Sequence, residues 1–489
     1  MTIQLNHTIV NVRDKRASAN FFTELFGLPK AKRFGSYFLT VELANEITLD
    51  FCDADYEVEK QHYAFLVSEA EFDQIFGRIQ ERGLDYWADP AKREKGKINR
   101  HDGGRGVYFE EPSGHFLEII TVPYGGRPKN NRIVVSPMCQ YSAREGHVTD
   151  WHLVHLGKFA QGGAGIVFVE ATAVEARGRI THGDTGIWDD THVAGLARIA
   201  EFVRSQGALP AIQLAHAGRK ASMARPWYGN GPLTPADIER GEKPWDIVGP
   251  SSEPLGEGWL RPRPIGERDE EALLAAYRAA VRRAHAAGFE VLEIHAAHGY
   301  LLHSFLSPIS NGGAREERMR FPLQVVRAVR ESWPQEKPLF VRVSSIDDVE
   351  GGWTIEDTVA FAKELAARGV DVVDCSSGGI LGSATAATRF TLPRVPGFQL
   401  PFAERVRMEA GIKTMAVGLI LTAEQAEEAL AAGRADLLAI AREALYDPNW
   451  PLHAAQALGA DPQMERWPEQ YGWWLTRRES LLRKLGLRR

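Results

Sequence analysis

The groups best placed for chemistry stand together in Glu293-Ile-His295-Ala-Ala-His298-Gly-Tyr300, where the mostly apolar run Phe289 to Leu292 gives way to two imidazoles and a phenol. A short buried strand ending in such groups is what a barrel enzyme shows where a parallel strand opens into its site. Imidazole and phenol there can pass protons or hydrogen-bond a polar substrate. Taken alone, a His-x-x-His pair serves core packing or a metal as readily. The elements that hold the pair therefore decide its meaning.

Those elements repeat. Apolar runs of strand length lie at Arg132 to Ser136, Gly165 to Glu170, Ala211 to His216, Val291 to His295, Leu339 to Ser344, Val370 to Cys375, Thr414 to Val417 and Asp436 to Ala441. Helical patterns alternate with them, as at Trp151 to Gln161, Thr191 to Ser205, Glu270 to Ala287, Glu316 to Ser332, Ile355 to Arg368 and Ala423 to Ala432. Eight such units predict a (β/α)₈ TIM barrel, with chemistry at the carboxyl ends of the strands. Those ends are polar: Ser136-Pro-Met-Cys139-Gln-Tyr141, Glu170-Ala-Thr172, Gln213-Leu-Ala-His216, Arg342-Val-Ser344 and Ala441-Arg442 accompany the histidine phrase. Barrel phosphate sites follow strands 7 and 8, where Gly418 and Ala441-Arg442 stand. The excursion from Arg219 to Glu267, rich in Pro, Gly and Trp, is too irregular for a barrel helix and predicts a lid or wall of the site. Gly162-Gly-Ala-Gly165 precedes a strand instead of following one, so it is no dinucleotide fingerprint.

At 489 residues the chain predicts at least two domains. The net charge of -6 and the lack of a basic face, apart from the tail from Arg477 to Arg489, argue against nucleic acid or an anionic membrane as partner. A small-molecule substrate is expected, with a homo-oligomer left open. Cys52, Cys139 and Cys375 are far apart and form no Cys-x-x-Cys pair, which suits a reducing cytoplasm. No basic and apolar leader opens the chain and no apolar run reaches spanning length, so a soluble, cytoplasmic protein is expected.

Residues 1–125 read as two copies of one unit. Leu5 to Val10 predicts a strand, Lys15 to Phe26 a helix closed by Gly27, and Tyr37 to Leu43 and Glu46 to Phe51 further strands. The pattern returns as His62 to Val67, a helix over Glu69 to Arg82, and strands over Gly106 to Glu110 and His115 to Val122 around Pro112-Ser-Gly114. This α+β domain of paired βαβββ units, with its closing phrase Tyr108-Phe-Glu-Glu-Pro-Ser-Gly-His115-Phe-Leu-Glu118, resembles the vicinal oxygen chelate superfamily of glyoxalases and extradiol dioxygenases. The resemblance implies metal ligands at His7, His62 and Glu118, with Asp50 a weaker fourth. Two imidazoles and a carboxylate would suit divalent iron, manganese or zinc with open positions. The Pro/Gly-rich stretch from Val122 to Asn131 divides this domain from the barrel at 131–489.

From about Asn131 to Leu475 the strand-end phrases, in order, resemble the Old Yellow Enzyme family of flavin-dependent ene-reductases, in its bacterial branch of NADPH dehydrogenases and xenobiotic reductases. The resemblance implies FMN as cofactor and NADPH or NADH as reductant. It places Arg342 near flavin N1 and O2, Gln213 at the pyrimidine edge, and Ser136, Pro137, Met138 and Ala171 in the flavin bed. The phosphate falls to Gly418, Ala441 and Arg442, and Cys139 lies by the reactive edge. His295 and His298 would hold a substrate carbonyl oxygen, Tyr300 would protonate the α-carbon, and Tyr141 would hydrogen-bond the substrate. Lys220 is a further flavin-side or wall candidate. The implied activity is ping-pong reduction of α,β-unsaturated carbonyl or nitro compounds. The alternative puts a metal-dependent lyase or dioxygenase activity, or small-molecule binding, in the first domain beside an impaired barrel.

Three departures from the family pattern stand out. Asn311 runs straight into Gly312-Gly-Ala-Arg315, which shortens the loop after strand 4. Residues before Asn131 belong to the other domain, where relatives carry a strand pair that plugs the barrel's amino-terminal face. Nothing after Trp474 matches the arginine that reaches a neighbouring subunit's site in some relatives.

Overall fold

The computed structural model describes residues 5–44, 47–99, 105–121, 131–382 and 392–487. The chain divides into two compact units, Met1–Pro128 and Lys129–Arg489.

The first unit runs β1 (His7–Val12), α1 (Lys15–Phe26), β2 (Lys32–Phe34), β3 (Phe38–Glu42) and β4 (Thr48–Asp53), then β5 (His62–Leu66), α2 (Glu69–Glu81), β6 (Tyr86–Trp87), β7 (Gly106–Glu110) and β8 (Phe116–Ile120). Two four-stranded sheets result, ordered β1-β4-β3-β2 and β5-β8-β7-β6. In each, the first strand pairs in parallel with the last and the other pairings are antiparallel. Local chemistry fixes the helices: the Asp14 carboxylate accepts from the Arg16 and Ala17 N–H groups, and Ser68 with Glu71 forms a capping box. Phe22 and Leu25 of α1 and Phe72 and Ile79 of α2 join one core with Val107, Phe109 and Ile119 of the second sheet. The sequence reading omitted β2 and β6, which are only three and two residues long.

The second unit begins with β9 (Ile133–Val135), α3 (Asp150–Gln161), β10 (Ile166–Ala173), α4 (Val193–Ser205) and β11 (Leu209–Ala215). A wall follows, holding α5 (Pro235–Glu239) and the paired β12 (Val248–Gly249) and β13 (Arg263–Pro264). Next come α6 (Glu267–Ala286), β14 (Val291–Ala296), α7 (Leu301–Leu306), α8 (Arg315–Ser332), β15 (Leu339–Ser344), α9 (Ile355–Ala366), β16 (Val372–Ser376), α10 (Leu400–Ala410), β17 (Lys413–Val417), α11 (Ala423–Ala431) and β18 (Leu437–Ile440). The chain ends on α12 (Arg442–Tyr446), α13 (Trp450–Ala457) and α14 (Glu469–Lys484).

The eight long-range strands close as β10-β11-β14-β15-β16-β17-β18-β9, every pair parallel, which is the expected (β/α)₈ barrel. Strand alternation sorts the side chains. Leu292, Ile294, Val341, Val343 and Val373 face the helices in the larger core, while Val134, Phe168, Ala211, Val291, Phe340, Val372 and Met415 fill the barrel interior. Each such buried side chain contributes roughly 1.5–3 kcal/mol. In β10 the pairing slips between Val169 and Ala171, so Ala171 and not Glu170 stands opposite Gln213. Among the described residues, no helix is long and apolar enough to cross a membrane.

Candidate active site

Above the apolar interior layer the same inward-facing positions turn polar. Two residues beyond Val291 comes Glu293, and two beyond that His295; Phe340 is followed by Arg342 and Ser344, and Val372 by Asp374 and Ser376. The period of two that packs the lower barrel thus delivers these groups to its carboxyl end. The register sets His295 opposite Arg342, and Arg342 opposite Asp374.

Beyond β14 the chain makes a tight turn. His298 (φ 61°) and Gly299 (φ 73°) are both left-handed, and a Cβ on Gly299 would stand 2.4 Å from the Gly379 carbonyl oxygen. The His298 N–H donates to Ser344 Oγ at 2.9 Å, and the Gly299 N–H to His303 Nδ1 at 2.7 Å. His303 Nε2 in turn lies 2.8 Å from Asp347 Oδ1, while Asp347 Oδ2 accepts from Ser307 Oγ and the Trp353 N–H. Burial alone would raise the Asp347 carboxyl, but His303 and the hydrogen bonds from Ser307 and Trp353 outweigh it and hold it below the usual range. The fully buried Lys220 amine completes the clamp by donating to the His298 and Gly379 carbonyls, and burial presses its pKa well down.

This turn sets three rings in one cluster. The His295 ring stands 5.2 Å from His298 and 4.9 Å from Tyr300, nearly edge-on to both. Burial, reinforced by the Arg342 charge, holds both imidazoles well below their ordinary range, so they are neutral near pH 7. His295 Nδ1 accepts from the Ala297 N–H at 3.3 Å, which leaves the proton on Nε2. His298 Nε2 lies 2.8 Å from Ser376 Oγ. Burial raises the Tyr300 and Tyr141 phenols, so both keep their protons.

Cys139 and Tyr141 follow β9, and the two belong with Tyr300 to one side-chain cluster. Burial pushes the Cys139 thiol up, while its hydrogen bond with Tyr141 acts the other way. The Gln140 N–H donates to Glu170 Oε2 at 2.9 Å, tying this loop to β10. Trp227, from the irregular wall, stands edge-on to Tyr141 at 6.0 Å. Across the barrel, Gln213 Nε2 donates to Glu293 Oε1 at 2.8 Å, and Arg342 Nε lies 3.2 Å from Asp374 Oδ2.

The residues fit a flat anionic cofactor. Among the described residues, Ser136 Oγ is buried without a hydrogen-bond partner and the Arg342 Nη groups make no hydrogen bond. Pro137 and Met138 are half-buried beside Ser136, and Ala171 is buried opposite Gln213. Gly418 (φ 118°) closes the end of β17 on Gln399 and Phe398, where a Cβ would come within 2.7 Å of Gln399 Nε2. Ala441 and Arg442 open α12 after β18, and the Arg442 charge lies close enough to Arg394 to depress it further after burial has done so. Arg394 stands between β16 and α10, where it also feels the Asp348 carboxylate, and with Arg442 it supplies a pair of guanidinium groups that suits a phosphate. Arg394 escaped the sequence reading because no strand-end phrase contains it. The shortened segment after α7 is held firmly: Ser310 Oγ donates to the Ser304 carbonyl, Asn311 Nδ2 to Phe305, and Arg318 to Leu306 and Gly313.

In the first unit the expected three-ligand set is not assembled. His62 Nε2 lies 3.2 Å from Glu118 Oε2, as the parallel β5–β8 register allows. His7 stands exposed on the other sheet, hydrogen-bonded to its neighbour Asn6, and Asp50 is engaged by Thr40 Oγ1 at 2.7 Å. Among the described residues no group of three His, Cys, Asp or Glu side chains converges as a metal site. His7 is bonded to Asn6 while His62 is paired with Glu118, so the three side chains are engaged separately.

A closed parallel barrel with a polar upper layer, a buried arginine, neutral imidazoles and protonated phenols suits a flavin-type oxidoreductase site. Residues 126–461 match the model of the NADH:flavin oxidoreductase / NADH oxidase family, and the chain belongs to that family, an enzyme with FMN as cofactor and a reduced nicotinamide as reductant. Residues 4–119 match the glyoxalase/bleomycin resistance protein/dioxygenase superfamily, so a barrel of the Old Yellow Enzyme kind carries an amino-terminal glyoxalase-type domain. An NADPH dehydrogenase of Geobacillus thermodenitrificans is 43% identical over 367 residues, covering 73% of this chain and 98% of its own. The solved 2-naphthoyl-CoA reductase complex is 25% identical with a TM-score of 0.58, covering 68% of this chain; the chain spans about half of that protein, 51%. The oxidase ChaP-H1 is 55% identical over 26% of this chain and 100% of its own, with a TM-score of 0.25.

Proposed function

We propose that the barrel reduces activated carbon–carbon double bonds, as in α,β-unsaturated aldehydes, ketones and nitro compounds, with the reduced nicotinamide and the alkene using the same face in turn. The observation that carries this reading is the cluster of neutral His295 and His298 beside protonated Tyr300. Bound FMN supplies the hydride chemistry. Arg342 and Gln213 orient its pyrimidine edge, Ser136, Pro137, Met138 and Ala171 form its bed, Cys139 borders it, and Gly418, Ala441 and Arg442 take its phosphate. His295, through Nε2–H, and His298 hydrogen-bond the substrate oxygen and draw charge from the conjugated double bond, which opens its β-carbon to hydride. Tyr300 gives its proton to the α-carbon, and Tyr141 steadies the substrate. The names of the curated relatives support NADPH as the reductant.

The test is the visible spectrum of the purified protein. Flavin bands that bleach with anaerobic NADPH and return with cyclohexenone are expected. A protein that reduces its flavin with NADPH yet is not reoxidised by any enone or nitroalkene refutes the alkene reading.

A further inference from the structure

Below the proposed substrate groups, and touching none of them, the barrel interior buries two acids. Glu293 on β14 and Asp374 on β16 are both 0% exposed. Their carboxyl groups lie within hydrogen-bonding reach of each other. Glu293 Oε1 accepts from Gln213 Nε2 at 2.8 Å, while among the described residues Glu293 Oε2 and both Asp374 carboxylate oxygens accept no hydrogen bond from any other residue. Asp374 Oδ2 lies 3.2 Å from Arg342 Nε. The layer beneath, with Val291, Phe340, Val372 and Met415, is apolar and supplies no donor. Two buried carboxylates cannot face each other across a hydrogen bond unless one of them holds a proton.

We infer that Glu293 and Asp374 share a single proton and act as positioning residues, joining Gln213 and Arg342 through one network that converges on Asp374 beneath the FMN pyrimidine edge. The inference rests on the flavin placement given above. The Gln213 N–H donates to the Glu293 carbonyl oxygen, the Glu293 O–H donates to Asp374, and the Asp374 carboxylate faces the Arg342 guanidinium as an ion pair. Gln213 is thereby held with its amide nitrogen down and its carbonyl oxygen available to the cofactor, the orientation that accepts from a flavin imide N–H. The Arg342–Asp374–Glu293 set is then neutral overall instead of carrying a net negative charge, so it adds no repulsion against the extra charge of the reduced cofactor. Burial raises Glu293 well above the usual carboxyl range, with the Asp374 charge adding to it, which agrees with Glu293 as the protonated partner.

The test compares two isosteric variants by the midpoint potential of bound FMN and by infrared spectroscopy. Glu293→Gln replaces a neutral acid with a neutral amide that can donate to Asp374 and accept from Gln213, so its potential should match the parent's. Asp374→Asn deletes the one negative charge beside Arg342, so its potential should shift to more positive values. The parent should also show a protonated-carboxyl C=O band that moves in D₂O and is absent in Glu293→Gln. Equal positive shifts in both variants would mean that both acids are ionised and would overturn the inference, as would a parent spectrum without that band. Should Asp374→Asn fail to fold, the parent band and the Glu293→Gln potential decide the question. A flavin that binds and is reduced by NADPH but meets no alkene would refute the proposed substrate class while leaving these readouts intact.

Discussion

Replacement of Asp347 by alanine tests whether the turn carrying His298 and Tyr300 is held by a buried charge. The carboxylate serves three donors at once: His303 Nε2 at 2.8 Å, Ser307 Oγ at 2.6 Å and the Trp353 N–H at 2.7 Å. Removing one partner of such a buried set costs about 3–5 kcal/mol, because the stranded donors lose both protein and water. That is roughly two to four powers of ten in the barrel's folding equilibrium. A second effect is local. With Asp347 present, the His303 proton sits on Nε2 and Nδ1 is free to accept from Gly299; without it the proton can move to Nδ1, where it opposes the Gly299 N–H. Urea unfolding followed by release of flavin fluorescence reports on the barrel alone, and rapid mixing of reduced enzyme with enone reports on the turn. A loss of stability under about 1 kcal/mol, with alkene reduction at the parental rate, would refute the argument. The pH dependence gives a further check. The folded pKa is lowered, so the Asp347 contribution is complete above the unfolded carboxyl value of about 4 and is lost as pH falls through the folded value. The gap between parent and variant should therefore close in acid.

Two further outcomes are expected. Tyr300→Phe keeps the ring contact with His295 but removes the proposed proton donor, so the alkene half-reaction should slow by about 10²–10⁴-fold while the nicotinamide half-reaction keeps its rate; equal slowing of both would point to misplacement of the ring instead. His155 on α3 is pressed by burial, with Lys158 adding, from 6.5 to about 4, so stability present above pH 6.5 should be lost as pH falls toward 4, and a His155→Gln variant should lose less over that window; an identical slope would show that His155 does not titrate there.

The barrel was legible because parallel strands buried on both faces read as continuous apolar runs, and the polar residues that interrupt them mark where each strand leaves the core. Val291 to His295 is the plainest case: the structure ends that strand at Ala296. What escaped depended on partners far away in the chain. Glu293 opens the histidine phrase, but nothing in that phrase announces Asp374, which strand order alone brings to it. Arg394 likewise gains meaning only beside Arg442. In the first unit β2, Lys32-Arg33-Phe34, is exposed at all three positions and has no alternation to betray it. The metal expectation depends on distant partners in the same way: of His7, His62 and Glu118, the described residues bring His62 to Glu118.

The one-residue slip in β10 decides the charge of the row proposed as the cofactor bed. Phe168 and Ala211 face inward together, so continuous pairing would have set Glu170 opposite Gln213, in the row now filled by Ala171. A carboxylate there would oppose the same reduced, negatively charged cofactor that Arg342 favours. The extra residue instead turns Glu170 away to the Gln140 N–H and the Thr185 hydroxyl. Strand parity therefore acts as a polarity switch: deleting a single residue from this strand would convert an anchor of the Cys139 loop into a carboxylate beneath the proposed flavin position.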